Sequence, residues 1–152
     1  MIRKATEKDL DFLYELCLDM CSMAGYDKGG LVVDKESSFA YGRDMINGEN
    51  SIVFIAEKHG KPIASIGLII YPWEHNRSQK IAIEEWFYVA PEHRGSIALL
   101  DALKDLAEWW AGKNGATSLW MVSTDRKVET FYRRKKFNYT HSLFIKEIKD
   151  GT

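Results

Sequence analysis

With 152 residues, the chain suits one domain with a real core; two domains would each be poorly buried. Apolar residues make up 45% and aromatics 12%, a globular composition that excludes disorder. The formal net charge of −1 argues against nucleic-acid binding, which usually comes with a strong basic excess.

Ile2 to Ala5 reads as a short strand. Thr6 then offers an N-cap oxygen, with Asp9 three residues on, close to a capping box. Leu10, Leu13, Cys17 and Met20 or Cys21 follow at helical spacing, so a helix is expected to about Met23. The stretch GYDKGG, from Gly25 to Gly30, breaks it. Cys17 and Cys21 fall on one helix face, where geometry does not favour a disulfide. No histidine pair completes a zinc site with them, and no metal is expected. They read as two small buried apolar residues in a reducing compartment. The opening MIRKATEKDLDFLYEL lacks a signal-peptide apolar core. No stretch approaches the length of a bilayer span. A cytoplasmic protein without membrane contact is expected.

A second helix is expected from about Glu36 to Ile46, ended by Gly48. Ser51 to Glu57 reads as a strand, and Lys58-His59-Gly60-Lys61 as a hairpin turn with glycine supplying the positive φ. Pro62 to Tyr71 is the partner strand. Ile81 to Val89 carries large side chains on both faces and reads as a central strand. A long helix then runs to about Ala111, with Leu99, Leu103, Leu106 and Trp110 on one face beside Ala102. Lys104, Asp105 and Glu108 lie opposite. Trp109 and Trp110 do not both fit one narrow stripe, so one is expected at the surface, where it would suit a homodimer contact. Lys113-Asn114-Gly115 stops the helix. Ala116 to Ser123 reads as a strand and Asp125 opens a short helix with Val128, Phe131 and Tyr132 inward. Phe137 to Ile148 reads as a last strand or hairpin. This order implies a mixed sheet with helices on its faces, in one domain spanning 1–152.

The stretch VAPEHRGSIALL, from Val89 to Leu100, stops a strand and starts a helix within a few residues. The first helical N–H groups have no intrahelical partners, and the helix dipole adds positive potential. Gly95, Ser96 and Ala98 let the backbone come close to a ligand, and Arg94 adds a permanent charge. Such a turn favours phosphate or pyrophosphate, each charge-assisted bond adding about 1.5–3 kcal/mol. Neither a P-loop nor a Gly-x-Gly-x-x-Gly fingerprint occurs. The plainer reading is a strand-to-helix turn with nothing bound.

Four stretches together resemble the GNAT superfamily of N-acetyltransferases. IRKATEKDLDFLYEL is similar to the family's opening strand and first helix, and IAEKHGKPIASIGLII to its central hairpin. VAPEHRGSIALL resembles the acetyl-CoA pyrophosphate loop. FYRRKKF resembles the late helix end whose tyrosine is often catalytic. The resemblance implies an α/β fold with a mixed, mostly antiparallel sheet flanked by helices, and a splayed strand pair at the cofactor cleft. It implies an acetyl-CoA-dependent acetyltransferase acting on an amine acceptor, a small molecule or a protein amine. Aligned on the family loop, His93 stands at the first position, Ser96 at the inner glycine and Ala98 at the last. Ile97 lies between them. Lys136 stands where the family often has glycine.

The same resemblance implies direct transfer in a ternary complex, with backbone groups of Phe87, Tyr88 and Val89 meeting the pantetheine arm. Glu84 and Glu85 are adjacent carboxylates on the expected central strand and so point to opposite faces. Glu85 shares parity with Phe87 and Val89 and stands four residues before Val89, where many family members carry a glutamate. Glu85 is the favoured general base and Glu84 its understudy; a structural pairing with Lys80 or Arg94 is the alternative. Tyr132 is the general-acid candidate, or else a core tyrosine. Asp125 stands where the family often has asparagine, and reads first as a helix N-cap. Arg133-Arg134-Lys135-Lys136 suits a solvated helix end or the cofactor's 3′-phosphate. Trp73, Glu74 and His75 read as a loop or part of an acceptor cleft. A GNAT-shaped module that binds acyl-CoA or a protein without turnover is the rival reading.

Overall fold

The computed structural model describes residues 1–123 and 125–148. The chain runs β1 (Ile2–Lys4), α1 (Leu10–Ala24), α2 (Lys35–Asn47), β2 (Ser51–Lys58), β3 (Lys61–Trp73), β4 (Asn76–Val89), α3 (Ile97–Lys113), β5 (Ala116–Trp120) and α4 (Arg126–Arg134). The strands form one sheet in the order β1-β2-β3-β4-β5. The first three pairings are antiparallel and β4–β5 is parallel, as a strand–helix–strand crossover through α3 requires.

Alternation along β2 divides the core into two halves. Ile52 and Phe54 face Leu103, Ala107 and Trp110 of α3, while Val53 and Ile55 face Leu13 and Leu16 of α1 and Met45 of α2. A strand buried on both faces reads as a continuous apolar run, which is why SIVFIA carries no polar alternation beyond its first residue. Glycines with positive φ end α1 at Gly25 and sit in the β2–β3 turn at Gly60, as expected.

Three expectations are corrected. β5 ends at Trp120 rather than Ser123, because the N–H of Val122 is taken by the Glu84 carboxylate at 3.0 Å instead of a strand neighbour. The segment 137–148 forms no strand. Leu143, Phe144 and Ile148 are exposed, and Ile145 passes over the Tyr26–Gly29 turn, 2.6 Å from where a Cβ on Gly29 would stand, so the segment lies against that turn rather than along a strand. Lys104, placed on the polar face of α3, is 6% exposed. Its stem is covered while its ammonium reaches Asp105 at 2.6 Å and Glu108 at 3.1 Å, the usual compromise of a long cationic side chain. The Trp109–Trp110 expectation divides as read, with Trp110 buried and Trp109 exposed.

Candidate active site

The site grows from an irregularity in β4. Gly67 pairs with Trp86 but Leu68 pairs with Glu84, so Glu85 is an extra residue in a β-bulge. A bulge shifts the strand's alternation by one. Upstream, Ala82 faces α3; downstream, Trp86 and Tyr88 face α1, while Phe87 and Val89 pack toward α3. Opposite the bulge, Gly67 leaves room for the Trp86 indole: a Cβ there would lie 2.6 Å from Cε2. The indole N–H donates to Ser65 Oγ at 2.9 Å.

The two carboxylates therefore enter separate environments. Glu84 turns toward α4, where its Oε2 accepts from Val122 N–H at 3.0 Å and from Tyr132 O–H at 3.2 Å. Glu85 turns the other way and accepts from Tyr41 O–H of α2. The expected parity of Glu85 with Phe87 and Val89 is thus corrected: the bulge aligns Glu85 with Trp86. Neither carboxylate pairs with Lys80 or Arg94 among the described ion pairs.

Burial sets the proton affinities. Desolvation pushes Glu84 up to about 7, against the opposing pull of its two donors. Burial and then the neighbouring Glu84 charge raise the Tyr132 phenol well above its ordinary value. Tyr41 is raised as well, first by burial and then by its bond to Glu85. A carboxyl that holds its proton up to about pH 7 behind a phenol, with a second carboxylate on the far face, can deliver a proton on one side of the sheet and remove one on the other.

β4 separates from β5 at the same point. The last pair is Ile83 with Trp120, and the β4 edge from Glu84 to Val89 has no strand beside it among the described residues. Phe87, Tyr88 and Val89 lie along this opening. The chain then makes a short turn over Pro91–His93 and enters α3. Gly95 takes φ +96°, a region that disfavours any residue with a Cβ. Ser96 takes φ −77° and caps α3, its Oγ accepting from Leu99 N–H at 3.3 Å. The serine at the inner-glycine position is therefore unstrained. The amides of Ile97 and Ala98 start the helix and have no intrahelical acceptor.

Arg94 is held toward α1. Its Nε donates to the Val89 carbonyl at 2.9 Å, and its Nη2 meets Asp19 Oδ2 at 2.8 Å. The Tyr88 hydroxyl donates to the same Asp19 oxygen at 2.6 Å, and the guanidinium lies over the Tyr88 ring. His93 ends the short turn. Asp125 caps α4, accepting from Lys127 and Val128 N–H at 2.7 and 2.9 Å, as its first reading held. Glu74 and His75 form the β3–β4 turn, and Trp73 ends β3 edge-on to His75.

On the opposite side of β4, a cavity of about 200 Å³ lies between α1 and α2 and includes Glu85 and Trp86 in its wall. Cys17 and Cys21 line it, half-buried, with sulfurs 3.8 Å apart. The thiol spacing was visible in the sequence, but the parts played by Tyr41 and Asp19 were not, since their partners lie 44 and 69 residues away.

The acetyltransferase (GNAT) domain family model matches residues 49–139. No curated protein sequence matches the chain. Among solved structures, it is similar to one described as a predicted acetyltransferase with acetyl-CoA from Clostridium acetobutylicum (17% identity, TM-score 0.76, covering 95% of this chain and 93% of that one). It is similar to a GCN5-related N-acetyltransferase from Ralstonia eutropha JMP134 (20%, 0.73, 95% of each). A structure described as a transcriptional regulator from Bacillus halodurans C-125 is also similar (18%, 0.78, 97% and 99%). At these identities the likeness establishes the fold. Among the described residues, no helix is long and apolar enough to cross a membrane, and no cluster of three His, Cys, Asp or Glu could hold a metal.

Proposed function

Because the chain belongs to the GNAT acetyltransferase family, we propose that it moves an acetyl group from acetyl-CoA to a primary amine by direct transfer in a ternary complex. The observation that carries this reading is the placement of Glu84 and Glu85 on opposite faces of β4 at the mouth of the β4–β5 opening. The free β4 edge at Phe87, Tyr88 and Val89 suits the pantetheine arm. The turn at His93, Arg94, Gly95, Ser96, Ile97 and Ala98 suits the pyrophosphate, with Gly95 open on the side where a Cβ would stand. Asp125 serves this site indirectly, by starting α4 and so placing Tyr132.

The substrate supplies an activated acetyl group; the chain supplies two proton sites. Glu85 accepts the amine proton as the nitrogen–carbon bond forms, directly or through one water. Tyr132 gives its proton to the sulfur as the carbon–sulfur bond breaks. Glu84, protonated at neutral pH in a sizeable share of molecules, returns a proton to Tyr132. The understudy base thus becomes the partner of the acid, since its carboxylate turns away from the α1–α2 cavity.

Calorimetry with acetyl-CoA, followed by thiol release with an amine panel, tests the reading. Glu85→Gln and Tyr132→Phe are expected to keep acetyl-CoA affinity and lose about 10²-fold in kcat. Unchanged kcat in both would refute the assigned roles. A protein-interaction module without turnover is the second reading, favoured by the engagement of Arg94 with Asp19 away from the turn; a folded chain that binds no acetyl-CoA would support it.

A further inference from the structure

We infer that the acceptor is a small monoamine with an apolar body, seated in the cavity between α1, α2 and β4 with its nitrogen at Glu85. This rests on the transfer reading for its location beside the β4–β5 opening, but the class of occupant follows from the cavity itself.

Leu13, Leu16, Met20, Cys17, Cys21 and Trp86 supply most of the wall, and Glu85 is its single charged residue. The carboxylate is tied at the rim by the Tyr41 hydroxyl. The remaining hydroxyl, on Ser38, already donates to the Asp34 carbonyl at 2.7 Å. The helices close on one another at Gly42, where a Cβ would lie 2.8 Å from Leu10 Cδ2. The result is a pocket with a floor.

One carboxylate balances one ammonium, which passes its first proton through Glu85 to water before the neutral amine attacks and gives up the second. A polyamine or an aminoglycoside would bring further charges onto an apolar wall, each losing hydration without a partner. A peptide amine would bring backbone N–H and C=O groups that this wall does not satisfy. An alkyl or aralkyl body has no such cost. At about 200 Å³, the cavity exceeds the ~150 Å³ cavity known to admit benzene, so it takes a body of roughly six to nine carbon atoms.

Two readouts on the full chain test this. Calorimetry with propyl-, butyl-, pentyl- and hexylamine, against spermidine, reports occupancy without turnover. Each added methylene is expected to tighten binding about fourfold, the equivalent of ~0.8 kcal/mol per buried CH₂, with spermidine more than tenfold weaker than hexylamine. Thiol release from acetyl-CoA with the same amines reports transfer. Cys17→Phe, which fills the cavity, is expected to weaken hexylamine at least tenfold and leave acetyl-CoA affinity unchanged. Met20→Ala, which enlarges it, is expected to move the preferred chain to a longer amine. A flat alkyl series, or spermidine binding more tightly than hexylamine, would overturn the inference, and transfer to spermidine alone would do so while leaving the transferase reading intact. Graded alkylamine binding without thiol release would support the occupant class and refute the transfer reading.

Discussion

Glu84→Gln isolates the energetic cost of a buried carboxyl. Glu84 is 6% exposed, and burial moves it from 4.5 to about 7. At 1.36 kcal/mol for each pH unit, that displacement is worth about 3 kcal/mol. The folded state holds this proton to higher pH than the unfolded chain does. The stability it contributes is therefore complete below pH 4.5 and lost as pH rises through about 7. Asp9 and Asp19, held below their ordinary values first by hydrogen bonds from Arg3 and Tyr88 respectively, act in the opposite sense and lose stability as pH falls. The wild-type profile alone mixes these contributions, but its difference from Glu84→Gln does not. Glutamine keeps a carbonyl oxygen for Val122 and Tyr132 and never ionises. Between pH 5 and 8 the variant is expected to gain about 2–3 kcal/mol on the wild type, or roughly 5–10 °C in Tm for a chain of this size. Thermal unfolding of both proteins in matched buffers measures it. Parallel Tm profiles across that range would refute the reasoning, because they would mean that Glu84 ionises as freely when folded as when unfolded.

Asp9→Asn leaves Arg3 without the fork that now meets it at 2.8 Å on both oxygens. With Glu57 still paired to Arg3, a loss of about 1.5–3 kcal/mol is expected in urea unfolding, and a loss below about 0.5 kcal/mol would contradict it. Gly67→Ala should force the Trp86 indole off its seat, costing about 1–3 kcal/mol with a shift in tryptophan emission; wild-type emission and stability would count against the close approach. Burial, aided by Cys17, pushes the Cys21 thiol up to about 11. Its alkylation by iodoacetamide should be slow at pH 7.5 and quicken about tenfold per pH unit above it, whereas rapid labelling at neutral pH would speak against the raised thiol. Asp125→Ala removes the α4 cap, at a cost of about 1 kcal/mol, and should lower kcat through Tyr132 more than it alters acetyl-CoA affinity.

The sheet and its helices were legible because their signals are local. Apolar runs, the His59-Gly60 turn and the glycine after α3 each act within a few residues. VAPEHRGSIALL likewise revealed its strand-to-helix turn, since a proline, a glycine and a capping serine are all short-range instructions. Glu84 and Glu85 were identifiable as a pair, and their placement on opposite faces follows from adjacency. Which carboxylate shares a face with Phe87 was not legible, because a bulge depends on how two strands register and not on either alone. Tyr41 and Asp19 escaped for the same reason. The segment 137–148 misled in the other direction: its composition suits a strand, but its Ile145 lies against the Tyr26–Gly29 turn, a contact set by the fold and not by composition.

The bulge also has a consequence for descent. Every residue from Trp86 to Val89 owes its side of the sheet to the one extra position at Glu85. A deletion there would send Trp86 and Tyr88 toward Leu103 and turn Phe87 and Val89 toward Leu13, exchanging the contents of two cores at once. Point substitutions along β4 can be tried singly by mutation and selection, but a change in its length cannot. Lineages of this fold should therefore vary β4 in its letters and keep its count, and a chain missing that one residue should also have rebuilt α1.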